Sequence, residues 1–320
     1  MRILANDGIS EVGKTTLEKE GFEVFTTYVA QDQLVEFINN NQIEVLLVRS
    51  ATEVRQDLID ATELKIIGRG GVGMDNIDVE YAKSKGILVI NTPDASSHSV
   101  AEMVMAHSYA IFRNLHQSNR SMPLEGESRF QELKKTYGTG YELRGKTMGI
   151  IGFGRIGRAV AKAAIGAGMK VISRTSSTKI EDVKVEFFDG QSLHFHIDSY
   201  DMDEVLRQSD IVTIHVPSVE KYILGEAEIK KLKPGAVVIN TSRGGVLDEK
   251  ALLTALDEGK LLGAALDVFE EEPTPSVHLL MNDKLSLSPH LAGSTVVAQE
   301  RIGMELAEQI IGFYKKEKTH

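Results

Sequence analysis

Apolar residues fall in short continuous blocks separated by stretches with helical spacing. Met1–Ala5, Phe22–Phe25, Val45–Val48, Lys65–Ile67 and Ile87–Ile90 read as strands. Between them, Thr15–Glu20, Leu34–Asn39, Leu58–Leu64 and Tyr81–Lys85 read as helices. A continuous apolar run such as Val45–Val48 suits a strand buried on both faces, and alternation of β with α predicts a parallel sheet. The pattern resumes at Met148–Ile151 and continues through Met169–Ile172, Ile211–Ile214, Val237–Ile239, Gly263–Leu266 and Leu285–Leu287, with helices at Asp201–Arg207, Glu226–Leu232 and Glu249–Glu258. The fold class predicted is α/β with parallel sheets. Three stretches differ. Residues 91–119 carry a long helical pattern, 121–142 are polar and weakly periodic and read as a connecting segment, and Lys184–Tyr200 alternates as a hairpin would. A last amphipathic helix runs through Ile302, Leu306, Ile310 and Ile311.

The residues just past the strands carry the chemistry. After Met148–Ile151, Gly152, Gly154 and Gly157 fall in G-x-G-x-x-G spacing, and Ile156, Val160, Ala163, Ala164 and Ala167 follow with helical period. A strand–glycine–helix unit of this kind lets backbone approach a pyrophosphate and points unpaired N–H groups at it. The next strand leads into S-R-T-S-S-T, Ser173 to Thr178, where an NAD site would place an Asp or Glu. Thr175 stands there instead, preceded by Arg174; hydroxyls and a guanidinium favour the 2′-phosphate of NADP(H) over the ribose diol of NAD(H).

In the first ninety-five residues, Arg49 and Arg69 each follow an apolar strand, and Gly70, Gly71 and Gly73 expose amides beside Arg69. The ligand edge of such a sheet lies at the strands' carboxyl ends, so this group suits a carboxylate or phosphate. Two surface arginines in ion pairs would leave the same pattern. His194 and His196 share a strand face, but two histidines make a poor metal site, and no metal is expected.

Composition narrows the class. At 320 residues the chain suits two domains, and 42% hydrophobic residues suffice for two cores. No run approaches the length of a membrane helix, the start M-R-I-L-A-N-D is not a signal peptide, and the absence of cysteine fits a reducing cytoplasm. A net charge of −10 argues against a nucleic-acid partner.

In the second half Arg243, Asp267 and His290 sit just past strand ends, with Glu272 after Asp267. An arginine, a carboxylate and an imidazole are what hydride transfer between an alcohol and a carbonyl requires: the imidazole moves the hydroxyl proton, the carboxylate favours imidazolium, and the arginine grips a carboxylate and polarises the carbonyl. Read singly, each could be an ordinary surface residue. Taken in order, however, G-F-G-R-I-G, H-V-P, N-T-S-R-G-G-V-L-D, D-V-F-E-E-E-P and S-P-H-L-A-G-S-T resemble the D-isomer-specific 2-hydroxyacid dehydrogenases over essentially the whole chain.

The resemblance implies that Arg243, Glu272 and His290 are catalytic, with His290 the acid/base, Glu272 its partner and Arg243 the substrate binder. It implies a cofactor site of Gly152, Gly154, Arg155, Ile156, Gly157, Arg174, Thr175, His215, Val216, Pro217, Thr241, Asp267 and Gly293. It makes residues 1–95 plus 296–320 a substrate domain and 96–295 an inserted NAD(P)-binding domain, both Rossmann-like and doubly wound. A cleft between them would close over substrate, and a homodimer through the cofactor domains is implied. Within the family, L-L-V-R-S-A-T and I-I-G-R-G-G-V-G-M-D-N-I-D are most similar to the phosphoglycerate dehydrogenases that open serine biosynthesis, which would give Arg49, Arg69, Gly71 and Val72 a phosphorylated 2-hydroxy or 2-keto acid. The S-R-T-S-S stretch favours instead an NADPH-dependent glyoxylate or hydroxypyruvate reductase. A non-catalytic NAD(H)-sensing protein on the same fold is the third reading. The chain stops at His320 after one helix, so no inhibition by serine through a C-terminal regulatory domain is expected.

Overall fold

Val45, Leu46, Leu47 and Val48 are all buried although successive side chains point to opposite faces, so both faces of their sheet are covered. The computed structural model describes residues 1–175 and 180–317. Ser176, Ser177 and Thr178 of the cofactor-selectivity stretch lie outside the described residues. The chain divides into two compact units, Met1–Ser97 with the segment from Gly293, and His98–Ala292. Both are mixed α/β and Rossmann-like. The second is inserted in sequence between the two segments of the first, with boundaries at 97/98 and 292/293 where 95/96 and 295/296 were expected.

The first unit holds a five-stranded parallel sheet of β1 (Arg2–Ala5), β2 (Glu23–Phe25), β3 (Val45–Val48), β4 (Ile66–Arg69) and β5 (Leu88–Asn91), in the order β2-β1-β3-β4-β5. Leu4, Leu46 and Ile67 pack with Leu34, Ile38 and Leu58 on one face. Ile3, Leu47 and Ile66 pack on the other with Leu17, Ile302, Leu306 and Ile310. Each such fully buried aliphatic side chain contributes roughly 1.5–3 kcal/mol. The helix Val296–Glu317 returns across the helix Glu11–Lys19, and the two touch at glycines: a Cβ on Gly13 would lie 2.7 Å from the backbone of Gly303.

The second unit holds β6 (Thr147–Ile151), β7 (Lys170–Arg174), β8 (Ile180–Glu186), β9 (Ser192–Asp198), β10 (Ile211–Ile214), β11 (Ala236–Asn240), β12 (Leu261–Leu266) and β13 (Leu285–Leu287). Six of these form a parallel sheet ordered β13-β12-β11-β10-β6-β7, and β8 and β9 form a separate antiparallel hairpin. Val183 and Ile197 tie the hairpin to the core. Its parallel strands bring the residues after β6, β10, β11, β12 and β13 to one edge.

One expectation fails. Residues 121–142, read as a connecting segment, belong largely to a helix, Leu115–Tyr137, separated from the helix Ser97–Phe112 by Asn114 at φ +52°. Only Leu133 is buried on it, so apolar periodicity is faint. Its polar residues pair across a break in the helix instead: Arg129 pairs with Glu125 and Glu132, and Ser121 meets the Tyr137 hydroxyl, sixteen positions on, at 2.7 Å. Arg129 itself leaves helical dihedrals, marking a kink six residues beyond Pro123.

Candidate active site

The glycine turn after β6 is built by contacts that exclude any side chain. Gly152 has φ +92°, and a Cβ there would meet the His215 carbonyl oxygen at 2.2 Å. A Cβ on Gly157 would meet the Gly152 carbonyl at 2.3 Å, which fixes the close seating of the helix Arg155–Gly166 on the turn. Gly154 is different: a Cβ there meets nothing within 4 Å. Gly154 precedes the helix, and no side-chain hydrogen bond caps it. Such a helix start is suited to a phosphate.

Arg174 ends β7 beside this turn, and its carbonyl accepts the Gly152 N–H at 3.0 Å. Its guanidinium donates to the Thr175 carbonyl, while the Thr175 N–H donates to Ser199 Oγ at 3.2 Å. His215 follows β10, with Val216 against the Gly152 position and Pro217 exposed. Burial pushes the His215 imidazole down to about 3, so it is neutral; Nε2 lies 2.9 Å from Thr213 Oγ1. Its Nδ1, and Oγ1 of Thr241 after β11, are buried without a hydrogen-bond partner among the described residues. Leaving a buried polar atom unpaired costs about 1–3 kcal/mol. The open space at Gly154, the uncapped helix and these two polar atoms at neighbouring strand ends fit a dinucleotide.

Past β11, Asn240 shapes the next turn. It is buried, its Oδ1 accepts from Ser242 N and Oγ at 3.1 and 2.9 Å, and its Nδ2 donates to the Arg243 carbonyl at 2.8 Å. Arg243 stands on this turn, next in the sheet to the end of β12. There is no room between the two loops: a Cβ on Gly244 would lie 1.8 Å from the Phe269 carbonyl oxygen.

Asp267, 1% exposed, organises the loop that follows β13. Its backbone carbonyl accepts the His290 N–H at 2.7 Å. Its carboxylate accepts from Ser288 Oγ at 2.6 Å, Leu291 N at 2.9 Å and Ala292 N at 2.8 Å. Under these restraints His290 is held at φ +51°, a left-handed conformation that costs a non-glycine residue about 1–2 kcal/mol. Its Nδ1 lies 2.8 Å from Glu272 Oε2, and Glu272 Oε1 accepts the Phe269 N–H at 3.0 Å. Both side chains are partly open, 45% and 36% exposed. Because a carboxylate only accepts, His290 Nδ1–H donates and Nε2 is the atom free to exchange a proton. Gly293 continues directly from this loop.

In the first unit, Arg69 ends β4 and its guanidinium lies over Gly71, whose Cβ would fall 2.2 Å from Nη1. The Gly71 carbonyl accepts the Thr92 N–H, and the Val72 carbonyl accepts from Asn91 Nδ2 at 2.9 Å, leaving the Val72 side chain exposed. Asp7 pins the Arg49 loop: one carboxylate oxygen accepts the Arg49 N–H at 2.6 Å and the Thr52 N–H at 3.1 Å, the other the Thr52 hydroxyl at 2.6 Å. Asn76 Nδ2 donates to the carbonyls of Arg49 and Thr52. The Arg49 guanidinium reaches the Ser294 hydroxyl at 3.4 Å, and among the described residues no carboxylate pairs with it.

His194 and His196 do share a face, each turned to Asp182 at 2.9 and 3.5 Å. All three are exposed, and no group that could hold a metal ion occurs among the described residues.

Asn6, Asp7, Asn240 and His107 were not singled out by sequence reasoning. Asn6 and Asp7 just past β1 offered a local cue, and the Asn240 side chain reaches Ser242 and Arg243 nearby, whereas His107 acts through partners distant in sequence.

A family model, D-isomer specific 2-hydroxyacid dehydrogenase, NAD binding domain, matches residues 105–292. A hydroxypyruvate reductase of Thermotoga maritima is 41% identical over 316 residues, covering 97% of each chain. A D-3-phosphoglycerate dehydrogenase of Methanocaldococcus jannaschii is 42% identical over 316 residues; these are 97% of this chain, which spans only 57% of that protein's length. Among solved structures, an acyclic imino acid reductase in complex with NADPH and D-Arg superposes with a TM-score of 0.82 at 28% identity, covering 99% of this chain and 98% of the other.

Proposed function

The chain belongs to the D-isomer specific 2-hydroxyacid dehydrogenase family, oxidoreductases acting on CH–OH groups with a nicotinamide cofactor, and within it we propose interconversion of D-3-phosphoglycerate and 3-phosphohydroxypyruvate, the entry to serine biosynthesis. The observation that carries the phosphorylated substrate is Arg49: its loop is fixed by Asp7 and Asn76, yet its guanidinium has no carboxylate partner among the described residues. A rigidly presented, uncompensated guanidinium at a sheet's ligand edge suits a phosphate dianion.

A nicotinamide cofactor, held by the glycine turn, the start of the helix Arg155–Gly166 and the polar atoms of His215 and Thr241, would supply the hydride acceptor or donor for C2 of the substrate. Neutral His290 takes the C2 hydroxyl proton on Nε2 while Nδ1–H stays on Glu272, whose charge stabilises the imidazolium formed. In the reduction the same proton goes back to the oxygen. Arg243 holds the substrate carboxylate and polarises the C2 carbonyl. Arg155 and Ile156 offer backbone N–H groups to the pyrophosphate, and Thr241 and His215 offer their buried polar atoms to the cofactor. Arg174 and Thr175 favour NADP(H). We propose a homodimer, supported by exposed Leu115, Leu124 and Phe130 on the helix Leu115–Tyr137.

Reduction of hydroxypyruvate or glyoxylate is the second reading, favoured by the end-to-end match to the Thermotoga hydroxypyruvate reductase. No helix of the described residues is long and apolar enough to cross a membrane, and we place the enzyme in the cytoplasm. A spectrophotometric assay of 3-phosphohydroxypyruvate, hydroxypyruvate and glyoxylate, each with NADH and NADPH, separates the two readings. The first requires a large kcat/KM advantage for the phosphorylated acid; comparable values for all three acids select the second.

A further inference from the structure

His107 lies on the buried side of the helix Ser97–Phe112, 5% exposed. Its ring nitrogens both meet serine hydroxyls carried in on the strand that leads to the catalytic loop: Nδ1 is 2.8 Å from Ser286 Oγ and Nε2 is 3.1 Å from Ser288 Oγ. The proton positions follow from the partners. Asp267 can only accept, so the Ser288 hydroxyl spends its hydrogen on Asp267 Oδ1 at 2.6 Å. Ser288 Oγ must then accept from His107, which places the imidazole hydrogen on Nε2. Nδ1 is left with a lone pair, and the Ser286 hydroxyl donates to it. Burial holds the His107 imidazole below its ordinary value, in keeping with this neutral tautomer.

The Asp267 carboxylate that receives the Ser288 hydrogen also takes the N–H groups of Leu291 and Ala292, and its carbonyl takes that of His290. Residues 288–292 therefore hang on Asp267, and Ser288 carries a further hydrogen bond to the helix Ser97–Phe112 through His107. Were the Ser288 hydroxyl free to turn, Asp267 would lose a charge-assisted hydrogen bond and the loop holding His290 at positive φ would lose a restraint.

We propose that His107 is a positioning residue for the dehydrogenase reaction: through Ser288 and Asp267 it sets the placement of the His290 imidazole. The inference rests on the reading of His290 as the acid/base. It makes the chain His107–Ser288–Asp267 a support of the catalytic loop.

The test uses His107→Leu, which fills the space without a hydrogen bond, and His107→Gln, whose amide nitrogen can still donate to Ser288. With 3-phosphohydroxypyruvate and hydroxypyruvate as substrates and NADH as reductant, His107→Leu should lower kcat about ten- to a hundredfold, the cost of a small misplacement of a reacting group. It should leave the NADH dissociation constant, read by nucleotide fluorescence, within about twofold, and His107→Gln should recover most of kcat. Ser288→Ala combined with His107→Leu should be no slower than Ser288→Ala alone, since both act on one contact. Imidazole 15N spectra of the wild type should show His107 neutral with the proton on Nε2. Unchanged kcat in His107→Leu, additive losses in the double variant, or a proton on Nδ1 would each overturn the proposal. If His107→Leu does not fold, His107→Gln, Ser288→Ala and the 15N spectra still decide it. Turnover retained in His290→Ala would instead overturn the acid/base reading, a separate outcome.

Discussion

Nδ1 of His290 and Oε2 of Glu272 lie 2.8 Å apart, and the other Glu272 oxygen is fixed by the Phe269 N–H. The carboxylate is thus oriented by backbone before it orients the imidazole. Glu272→Gln preserves the shape and the Phe269 hydrogen bond but removes the charge that balances imidazolium. It should lower kcat on the order of 10- to 100-fold, while His290→Ala should cost about 10²–10⁴-fold. Steady-state kinetics with cofactor binding measured separately checks both; unaltered kcat in Glu272→Gln would remove it from the reaction.

Gly244 lies flat against the Phe269 carbonyl, so Gly244→Ala must push apart the loops carrying Arg243 and Glu272. Overpacking of this kind costs about 1–3 kcal/mol. A fall in Tm together with a fall in kcat is expected, seen by calorimetry and assay. Gly154→Ala, with open space at its Cβ, should leave Tm nearly unchanged and weaken cofactor binding.

Neutral His215 gives stability a pH dependence. Its folded value is lowered to about 3 by burial, against an ordinary 6.5 in the unfolded chain. Between those values the unfolded chain binds the proton and the folded one does not, so this contribution is full above about 6.5 and is lost as pH falls toward 3. His215→Gln removes the titrating group. The wild-type Tm should fall more steeply than the variant's between pH 7 and 5, and parallel curves would contradict this.

The proposed preference for NADP(H) rests on Arg174 and Thr175, and of the two Arg174 carries the charge. Arg174→Ala should raise KM for NADPH roughly 10-fold or more, the worth of a charge-assisted hydrogen bond, and leave KM for NADH little changed. Equal effects on both would mean the guanidinium serves only its contact with the Thr175 carbonyl.

The strands were legible because burial on both faces makes them continuous apolar runs, as at Val45–Val48 and Ile211–Ile214. Parallel pairing then gathers the strand ends, which is why Arg243, Asp267 and His290 could be grouped from sequence. The helix Leu115–Tyr137 was not legible because it buries a single side chain and rests on ion pairs. Asp7 and His107 escaped for another reason. Asp7 acts on residues more than forty positions away, and His107 on serines 179 and 181 positions away, and no local spacing encodes such pairings.

The most direct measurement is kcat/KM of wild type and Arg49→Ala on 3-phosphohydroxypyruvate and on hydroxypyruvate. A phosphate-binding Arg49 predicts that the variant loses roughly 10- to 100-fold on the phosphorylated acid, the worth of a charged hydrogen bond, and little on the other. Equal losses on both, or a wild type indifferent to the phosphate, would contradict the phosphoglycerate reading and leave a hydroxypyruvate reductase.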